Sequence, residues 1–459
     1  MVDSGTLAPD NVQSVFKAYD VRGLVPQQVD EELARATGAA FVQVLGATEI
    51  VVGHDMRPSS PGMAGAFADG ATRAGADVTM IGLASTDQLY FASGHLERPG
   101  AMFTASHNPA QYNGIKLCRA FAQPVGTDTG LAQIRDLVAG GEAVATSTRE
   151  GSIDELEVLE AYAAHLLALA PVRGRRLKVV ADAGNGMAGH TAPAVFARLG
   201  QEQVELVPMY FELDGTFPNH EANPIDAATL VDLQQRVVAE RADVGLAFDG
   251  DADRCFLVDE QGRAVSPSAV TALIAARELA KHPGATVIHN LITSRAVPEL
   301  VTELGGTPVR TRVGHSYIKA TMAETDAVFG GEHSGHFYFR EFWRADSGML
   351  AALHVLAALA ETDQPLSQLL AAYERYPLSG EINSTVTDQR AVLADVEATY
   401  GGLDGVTIDH LDGLTVAHAD WTFNVRASNT EPLLRLNAEG KDTATMERVR
   451  DEVLARIRS

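Results

Sequence analysis

Three aspartates occupy alternate positions in the segment DGDADR, which runs from 249 to 254. Asp249, Asp251 and Asp253 lie between two apolar segments, VGLAF and CFLVD, that are typical of strands. On a loop, carboxylates at this spacing can turn inward together and present hard oxygens to a divalent cation. Three aspartates between apolar strands would repel one another without such an ion. The segment therefore predicts a metal site. Ligands that are all oxygens favour Mg²⁺, particularly if the substrate carries a phosphate, as a later segment indicates.

Two alternatives compete with this interpretation of the aspartates. The spacing also begins an EF-hand loop, in which Glu260 would be the twelfth residue. The sixth residue, however, is Arg254 rather than the glycine that the EF-hand turn requires, and the flanking segments resemble strands rather than helices. The remaining alternative is a solvated acidic turn, which the apolar flanks disfavour.

Two further loops carry groups that suit a sugar phosphate. The segment VRASNTEP (425–432) combines a guanidinium, two hydroxyls and an amide, which together can cradle a phosphate dianion. An ordinary polar turn between strands is the alternative at this position. The residues that would hold the phosphate are Arg426, Ser428, Asn429 and Thr430.

The segment GGEHSGH (330–336) follows an apolar run, and its glycines allow a close approach of backbone to a ligand. Glu332 can accept hydrogen bonds from sugar hydroxyls, and Ser334 can both donate and accept them. A zinc site on His333 and His336 is disfavoured, because their spacing suits a loop poorly and no convincing third ligand stands nearby in the sequence.

A serine stands in the segment FTASHNPAQYNG, which runs from Phe103 to Gly114. The simplest interpretation of Ser106 is a loop serine in a turn. The chain has no G-x-S-x-G motif of a hydrolase, and a serine near a cation and a phosphate pocket suits phosphoryl transfer. Lys116 follows on a segment that could return as a hairpin, and His315 begins a possible helix. Either could act as a general acid or base if it reaches the reacting hydroxyl.

The N-terminal segment FKAYDVRG (16–23) allows two interpretations. Tyr19, Asp20 and Arg22 could simply pack against the first domain, with the arginine paired to the aspartate. Alternatively, the guanidinium of Arg22 could lie near a phosphate. The local sequence favours neither.

Short apolar segments recur in three sets of three along the chain, with Ala-rich helical segments between some of them. Strands that alternate with helices predict α/β domains with parallel or mixed sheets, which bind ligands at the carboxyl ends of their strands. In each set the third strand runs into a polar, glycine-rich loop. The pattern predicts three similar α/β domains and a smaller C-terminal α+β domain around one central cleft. The expected domains are residues 1–155, 156–263, 264–372 and 373–459.

The composition is that of a soluble globular chain of 459 residues, with 46% hydrophobic residues and a formal net charge of −24. This charge disfavours nucleic acid and acidic membranes as partners, and an anionic substrate would require a local cationic pocket. Two cysteines outside any CxxC motif and the absence of a signal-peptide pattern at the N-terminus predict a cytoplasmic protein. The sequence fits either a monomer or a dimer.

Taken in order, YDVRG, TASHNP, DGDADR, GEHSGH and RASNTEP resemble the motifs of the α-D-phosphohexomutase superfamily. The resemblance is greatest to its bacterial phosphomannomutase/phosphoglucomutase group, and it covers nearly the whole chain. It implies a Mg²⁺-dependent isomerase that interconverts hexose 6-phosphate and hexose 1-phosphate. In that reaction a phosphoserine would donate its phosphoryl group, and a hexose 1,6-bisphosphate would be the intermediate and activator.

The resemblance also implies roles for individual residues. Ser106 would carry the phosphoryl group and share the metal with the three aspartates, while the residues of the RASNTEP segment would hold the phosphate that is not transferred. The sugar hydroxyls would bind Glu332 and Ser334. Lys116 and His315 would lie near the reacting hydroxyl. Arg22, His107 and Arg254 would surround the transferring phosphate, and Tyr19 would line the cleft.

One departure from the family pattern concerns the choice of sugar. His333 stands where the phosphomannomutase/phosphoglucomutase group often has methionine and where phosphoglucosamine mutases usually have glutamine. The YDVRG segment and Ala252 favour the former group, so we expect mannose phosphates, and also glucose phosphates, as substrates. The alternatives are a phosphoglucosamine mutase, a phosphatase and a sugar-phosphate binding protein without activity.

Overall fold

The structure is a computed structural model that describes residues 5–141, 147–427 and 433–459. Its helices, in chain order, are α1 Pro9–Val15, α2 Glu31–Leu45, α3 Ser60–Arg73, α4 Thr86–Leu96, α5 Leu131–Gly140, α6 Leu159–Leu169, α7 Ala188–Leu199, α8 Val231–Glu240, α9 Pro267–Lys281, α10 Ala296–Glu303, α11 His315–Thr325, α12 Gly348–Ala360, α13 Leu366–Leu370, α14 Gln389–Tyr400 and α15 Thr443–Ile457.

The strands, in the same order, are β1 Asp20–Leu24, β2 Glu49–His54, β3 Asp77–Leu83, β4 Gly100–Phe103, β5 Tyr112–Arg119, β6 Gln123–Pro124, β7 Ile153–Glu155, β8 Leu177–Asp182, β9 Val204–Met209, β10 Val244–Phe248, β11 Cys255–Asp259, β12 Thr286–Asn290, β13 Thr307–Thr311, β14 Phe329–Gly331, β15 Phe337–Phe339, β16 Ala345–Asp346, β17 Leu378–Thr385, β18 Thr407–Asp409, β19 Leu414–His418, β20 Trp421–Ala427 and β21 Leu433–Gly440.

The chain forms two compact units. The first contains the chain up to Val265 together with Ser334–Leu369, and the second contains Ser266–His333 together with Leu370–Ser459. The domain boundaries expected from the sequence stay predictions. Within the part of the chain that the structure describes, no helix has both the length and the apolar character needed to cross a membrane.

The threefold pattern in the sequence is confirmed by the strand pairing. In each set the first strand lies between the other two and is parallel to both, which gives the orders β3-β2-β4, β9-β8-β10 and β13-β12-β14. In the first unit β5 and β11 add antiparallel neighbours to β4 and β10, so the sheets are mixed. The third strands β4, β10 and β14 run directly into the three polar loops, so each loop begins at the carboxyl end of a strand.

The first unit anchors the segment that carries Ser106 through an aromatic cluster. This segment, residues 104–112, runs from the end of β4 to the first residue of β5 and is called the serine loop. Phe103, the last residue of β4, is fully buried and meets Phe67 edge to face at 5.5 Å between ring centroids. Phe67 in turn packs against Phe41 of α2 at 5.7 Å. Burial of each such ring contributes about 1.5–3 kcal/mol, so the residue three positions before Ser106 is held firmly.

The second unit ends in the predicted smaller α+β domain. Its sheet has the order β17-β21-β20-β19-β18 with antiparallel neighbours throughout. Helices α14 and α15 pack against this sheet. Val449, Val453 and Ile457 of α15 are buried in a core that also contains Trp421 and Phe423. Apolar residues at spacings of four along α15 produce this single buried face.

Candidate active site

The side chain of Ser106 lies at the centre of a cluster in the first unit. Its hydroxyl donates a hydrogen bond to Asp249 Oδ2 at 2.8 Å and accepts one from Arg254 Nη2 at 3.0 Å. Ser106 is 4% exposed and has a left-handed backbone conformation, with φ at 50°. The Oγ atom also lies 3.1 Å from Nδ1 of His107. The serine loop and the aspartate loop, far apart in sequence, therefore meet at this hydroxyl.

The aspartates form a compact group of oxygens. Ligand atoms from Asp249, Asp251 and Asp253 lie within 4.8 Å of one another, and all three residues are buried. Gly250 allows the serine loop to approach the aspartate loop closely, because a Cβ atom at this position would lie 2.3 Å from the carbonyl oxygen of Ser106. The loop connects the antiparallel strands β10 and β11, so it is a hairpin turn and not an EF-hand.

The donor set fits a hard divalent cation. Oδ1 of Asp251 and Oδ1 of Asp253 are buried and accept no hydrogen bond from the residues that the structure describes. Buried carboxylate oxygens of this kind need a positive partner, and three carboxylates supply the oxygen chemistry that Mg²⁺ prefers. Burial raises the pKa of Asp249 in the absence of such an ion, even though the Arg254 guanidinium opposes the shift.

Lys116 supplies one positive charge to this cluster. Its Nζ lies 2.7 Å from Asp251 Oδ2 and 2.6 Å from Asp253 Oδ2. Strand β5 pairs antiparallel with β4, as the predicted hairpin requires, and brings the lysine back towards the serine loop. Burial alone would lower the lysine pKa, but the charges of Asp251 and Asp253 outweigh it and raise the pKa above its usual value. Lys116 is therefore an ammonium in this arrangement.

Two further basic residues surround the serine. Arg254 is 3% exposed, donates from Nε to Asp249 Oδ2 at 2.9 Å and contacts Nδ1 of His107. Burial lowers the pKa of His107 well below its usual value, and the charges of Arg254 and Arg22 lower it further, so the imidazole is neutral.

Arg22 pairs with Asp20, as the packing interpretation of the N-terminal segment expects, and it also contacts the serine loop. Its Nη2 pairs with Asp20 Oδ2 at 2.6 Å, and its Nη1 donates to Asn108 Oδ1 at 2.6 Å. The guanidinium thus reaches the serine loop as well as its neighbour on β1. Tyr19 is half-buried just before β1.

The predicted sugar-binding residues divide between the two units. Ser334 belongs to the first unit, where it is half-buried. Glu332 belongs to the second, is 2% exposed, and accepts hydrogen bonds from Asn290 Nδ2 and the backbone N–H of Gly314, both at 3.2 Å. His315 is the first residue of α11, directly after that glycine.

The predicted phosphate segment is described only at its beginning. Arg426 lies in β20, and its Nη2 is 3.2 Å from Glu381 Oε2, while Arg435 Nη1 is 3.3 Å from Glu381 Oε1. Nε2 of His333 lies 3.9 Å from the same carboxylate. Ser428, Asn429 and Thr430 lie outside the described residues, so their roles and those of the other candidate residues stay predictions.

Three residues that contact these groups are not predicted by the sequence patterns. Thr86, the first residue of α4, donates from Oγ1 to Asp251 Oδ2 at 2.6 Å. His336 was considered only as a zinc ligand, yet its Nδ1 lies 2.9 Å from Asp346 Oδ2 and 3.7 Å from Asp253 Oδ1. Arg57 donates to the backbone of the serine loop. Its position just beyond the carboxyl end of β2 was an available signal, since ligand sites of such sheets lie at that edge.

Four family models match successive parts of this chain. Those described as phosphoglucomutase/phosphomannomutase, alpha/beta/alpha domains I, II and III match residues 13–144, 160–262 and 266–376, and the model of the C-terminal domain matches residues 381–456.

Curated relatives and solved structures are similar over almost their whole length. A phosphomannomutase of Salmonella montevideo is 40% identical over 456 residues, which are 98% of this chain and 100% of the relative. The phosphomannomutase of Escherichia coli strain K12 is 39% identical over 446 residues, or 96% of this chain and 97% of the relative. A crystal structure of a phosphoglucomutase/phosphomannomutase family protein from Burkholderia thailandensis matches with a TM-score of 0.87 at 32% identity, covering 97% of both chains.

Proposed function

This chain belongs to the phosphoglucomutase/phosphomannomutase family, and from that membership we infer that it is a phosphohexomutase, an isomerase that interconverts hexose 6-phosphate and hexose 1-phosphate. The observation that carries the assignment is the Ser106 hydroxyl, held between the Asp249 carboxylate and the Arg254 guanidinium. The relatives named phosphomannomutase support mannose phosphates as the substrate. Glucose phosphates differ from them only in the configuration at C2, and we propose them as additional substrates.

We propose that Ser106 is phosphorylated in the active enzyme. In the first half-reaction the bond between Ser106 Oγ and phosphorus breaks, and the free sugar hydroxyl forms the new bond to phosphorus while it loses its proton to a base. The resulting hexose 1,6-bisphosphate turns over, and its other phosphoryl group returns to Ser106 Oγ. Isomeric monophosphate is then released, and the serine is again phosphorylated, so no phosphoryl group is gained or lost.

The basic residues around Ser106 support this transfer. Arg254 already donates to the hydroxyl oxygen that would carry the phosphoryl group, His107 is the next residue on the loop of Ser106, and Arg22 contacts that loop from β1 through Asn108. A guanidinium at this position would stabilise the negative charge of the transferring group. Lys116 and His315 are the candidates for the general acid and base, and the two roles exchange between the half-reactions because the second reverses the first.

Family members use Mg²⁺, and Asp249, Asp251 and Asp253 are the residues that would hold it together with a phosphate oxygen on Ser106. When bound, the ion would offset charge on the phosphoryl oxygens. Recognition of the substrate is assigned to the remaining predicted residues. Glu332 and Ser334 would bind sugar hydroxyls, Tyr19 would line the site, and the distal phosphate would be held by Arg426, Ser428, Asn429 and Thr430. We place the enzyme in the cytoplasm, acting on small-molecule sugar phosphates without nucleic acid or membrane.

The test is to incubate the protein with Mg²⁺ and glucose 1,6-bisphosphate and to map phosphorylation by peptide mass. The proposal expects one phosphoryl group on the peptide that contains Ser106 and none on that peptide in Ser106→Ala. Turnover of mannose 6-phosphate, glucose 6-phosphate and glucosamine 6-phosphate is then compared. A preference for the amino sugar would identify a phosphoglucosamine mutase instead, and release of free phosphate at the rate of sugar conversion would identify a phosphatase. Absence of phosphorylation would reject the mechanism.

A further inference from the structure

Arg57 lies beneath the serine loop with its guanidinium buried. It follows β2 in the segment DMRPSS and is 1% exposed. Both terminal nitrogens donate to backbone carbonyls of the loop, and each serves two of them. Nη2 reaches Ser106 O at 3.0 Å and Asn108 O at 2.6 Å, and Nη1 reaches Pro109 O and Tyr112 O, both at 2.9 Å.

The guanidinium is itself fixed from two sides. Asp55 forms an ion pair with it at 3.3 Å between Oδ2 and Nε, and Asp55 Oδ1 accepts hydrogen bonds from Arg57 N at 2.9 Å and Ser60 Oγ at 2.6 Å. The ring of Phe217 lies over its central carbon at 5.1 Å. Gly215 passes so close that a Cβ atom there would lie 2.6 Å from Arg57 Cα. The arginine therefore has little freedom to move away from the carbonyls it contacts.

The conformation of Ser106 requires such support. Its φ of 50° is unusual for a residue with a side chain, because the left-handed region brings Cβ close to the backbone. Arg57 binds the carbonyl oxygen of Ser106, and Thr104 Oγ1 accepts from its backbone N–H at 2.9 Å. Both polar backbone groups of the serine are thus held, which directs Oγ towards Asp249 and Arg254.

We propose that Arg57 is a positioning residue for phosphoryl transfer, because it holds the carbonyls of the serine loop so that Ser106 Oγ stays between Asp249 and Arg254. This inference rests on the proposed function of Ser106. Arg57 acts through the backbone of the loop. Its fork of donors matters more than its charge, since a lysine ammonium has three donors on one atom and cannot span four carbonyls that two nitrogens now serve.

The test compares Arg57→Lys with the wild type in the full-length protein. We expect kcat to fall by about 10²-fold, since small displacements of a reacting atom have effects of that size, while KM for mannose 1-phosphate changes by less than about threefold. Phosphorylation of Ser106 by glucose 1,6-bisphosphate in a single turnover should slow by the same factor as kcat. Arg149→Lys is the matched control, because Arg149 makes an exposed ion pair with Asp77 at 2.6 Å and also donates to a backbone carbonyl.

Rates are expressed per folded molecule. The folded fraction is measured by circular dichroism and by the amplitude of Mg²⁺-dependent thermal stabilisation. A purely structural role would lower the folded fraction or Tm and leave kcat per folded molecule unchanged, and that outcome overturns the proposal. If Arg57→Lys does not fold, the variant Asp55→Asn is measured in its place, and we expect kcat to fall by about tenfold at unchanged KM. An unchanged kcat in Asp55→Asn also overturns the proposal. A wild type without mutase activity would instead reject the proposed function.

Discussion

Ser106 and Arg254, which we assign to the chemistry, and Arg426, which we assign to the distal phosphate, differ in how firmly the protein holds them. In the first unit Ser106 and Arg254 are 4% and 3% exposed and are bonded directly to Asp249. In the second unit the side chains of Arg426 and Glu381 are 14% and 21% exposed, and they meet at 3.2 Å. The groups that we propose to react are therefore organised before any ligand arrives, whereas Arg426 has a carboxylate partner that a phosphate could replace.

This difference has a physical rationale. Stabilisation of a developing charge is most effective when the donors need not reorganise during the reaction, so burial and mutual bonding suit the serine site. A recognition site must instead exchange ligands, and partly exposed ion pairs cost less to break. Substitutions in the cluster around Ser106 should therefore lower kcat, and substitutions at Glu332 or at the pair of Glu381 and Arg426 should mainly change KM.

The largest effect is expected from the metal cluster. Removal of Mg²⁺ with a chelator should lower kcat by roughly 10³-fold or more, and readdition should restore it, because the ion supplies several kcal/mol of charge stabilisation. Asp251→Asn should show the same loss and should also lose the increase in Tm that Mg²⁺ gives the wild type. Asp77→Asn, at an exposed ion pair, is the control. Full activity in protein that elemental analysis shows to be free of metal would contradict this expectation.

Lys116→Met should have the next largest effect. The substitution removes the ammonium from Asp251 and Asp253 while it keeps most of the side-chain volume, so we expect kcat to fall by about 10²-fold. The drop in Tm should be larger in chelator than in Mg²⁺, since the ion takes over part of the charge compensation. The control is Lys178→Met, on β8, which loses an ion pair with Glu240 at 2.7 Å. Equal losses of Tm with and without Mg²⁺ would show that the lysine and the ion act independently.

Glu332→Gln tests the recognition side. A hydrogen bond from a sugar hydroxyl to a charged group contributes about 1.5–3 kcal/mol, so kcat/KM should fall by about 10- to 10²-fold. Most of the change should appear in KM if this residue serves binding. Glu303→Gln, which breaks an exposed ion pair with Arg375, is the matched control. A loss confined to kcat would mean that Glu332 belongs with the chemistry and would break the comparison.

The smallest effect, with the opposite sign, is expected for Glu381→Gln. Loss of this carboxylate leaves Arg426 and Arg435 with more uncompensated positive charge, so a phosphate should bind more tightly and KM should fall by about two- to threefold at low salt. The effect should diminish at high ionic strength. Glu397→Gln, at an exposed position of α14, provides the control. An increase in KM would show that Glu381 serves to orient Arg426 rather than to compete with phosphate.

Sequence patterns predicted those parts of the fold and of the site that depend on residues close together in the chain. Each predicted set of strands became a sheet with the same order, and the hairpin from β4 to β5 returned Lys116 to the serine loop. The aspartates were recognisable because their alternation has few structural explanations.

The contacts that sequence patterns do not predict join residues far apart in the chain. Thr86 donates to Asp251, and His336 lies beside Asp253, although nothing in their own segments indicates an aspartate partner. Arg57 binds carbonyl groups, which every residue possesses and which no sequence pattern can single out. Side chains that act on the backbone of another loop are therefore the hardest to predict from a single sequence.

The backbone at Ser106 limits which amino acid could serve as the proposed nucleophile. Threonine has the same hydroxyl chemistry, but a β-branched residue at a φ of 50° is a steric outlier. Glycine and asparagine tolerate that conformation more readily, yet neither carries a hydroxyl. Serine is the smallest residue that meets both demands. Replacement of the proposed nucleophile by another hydroxyl residue would thus require a different backbone conformation at this turn, so the main chain restricts the chemistry that the side chain can offer.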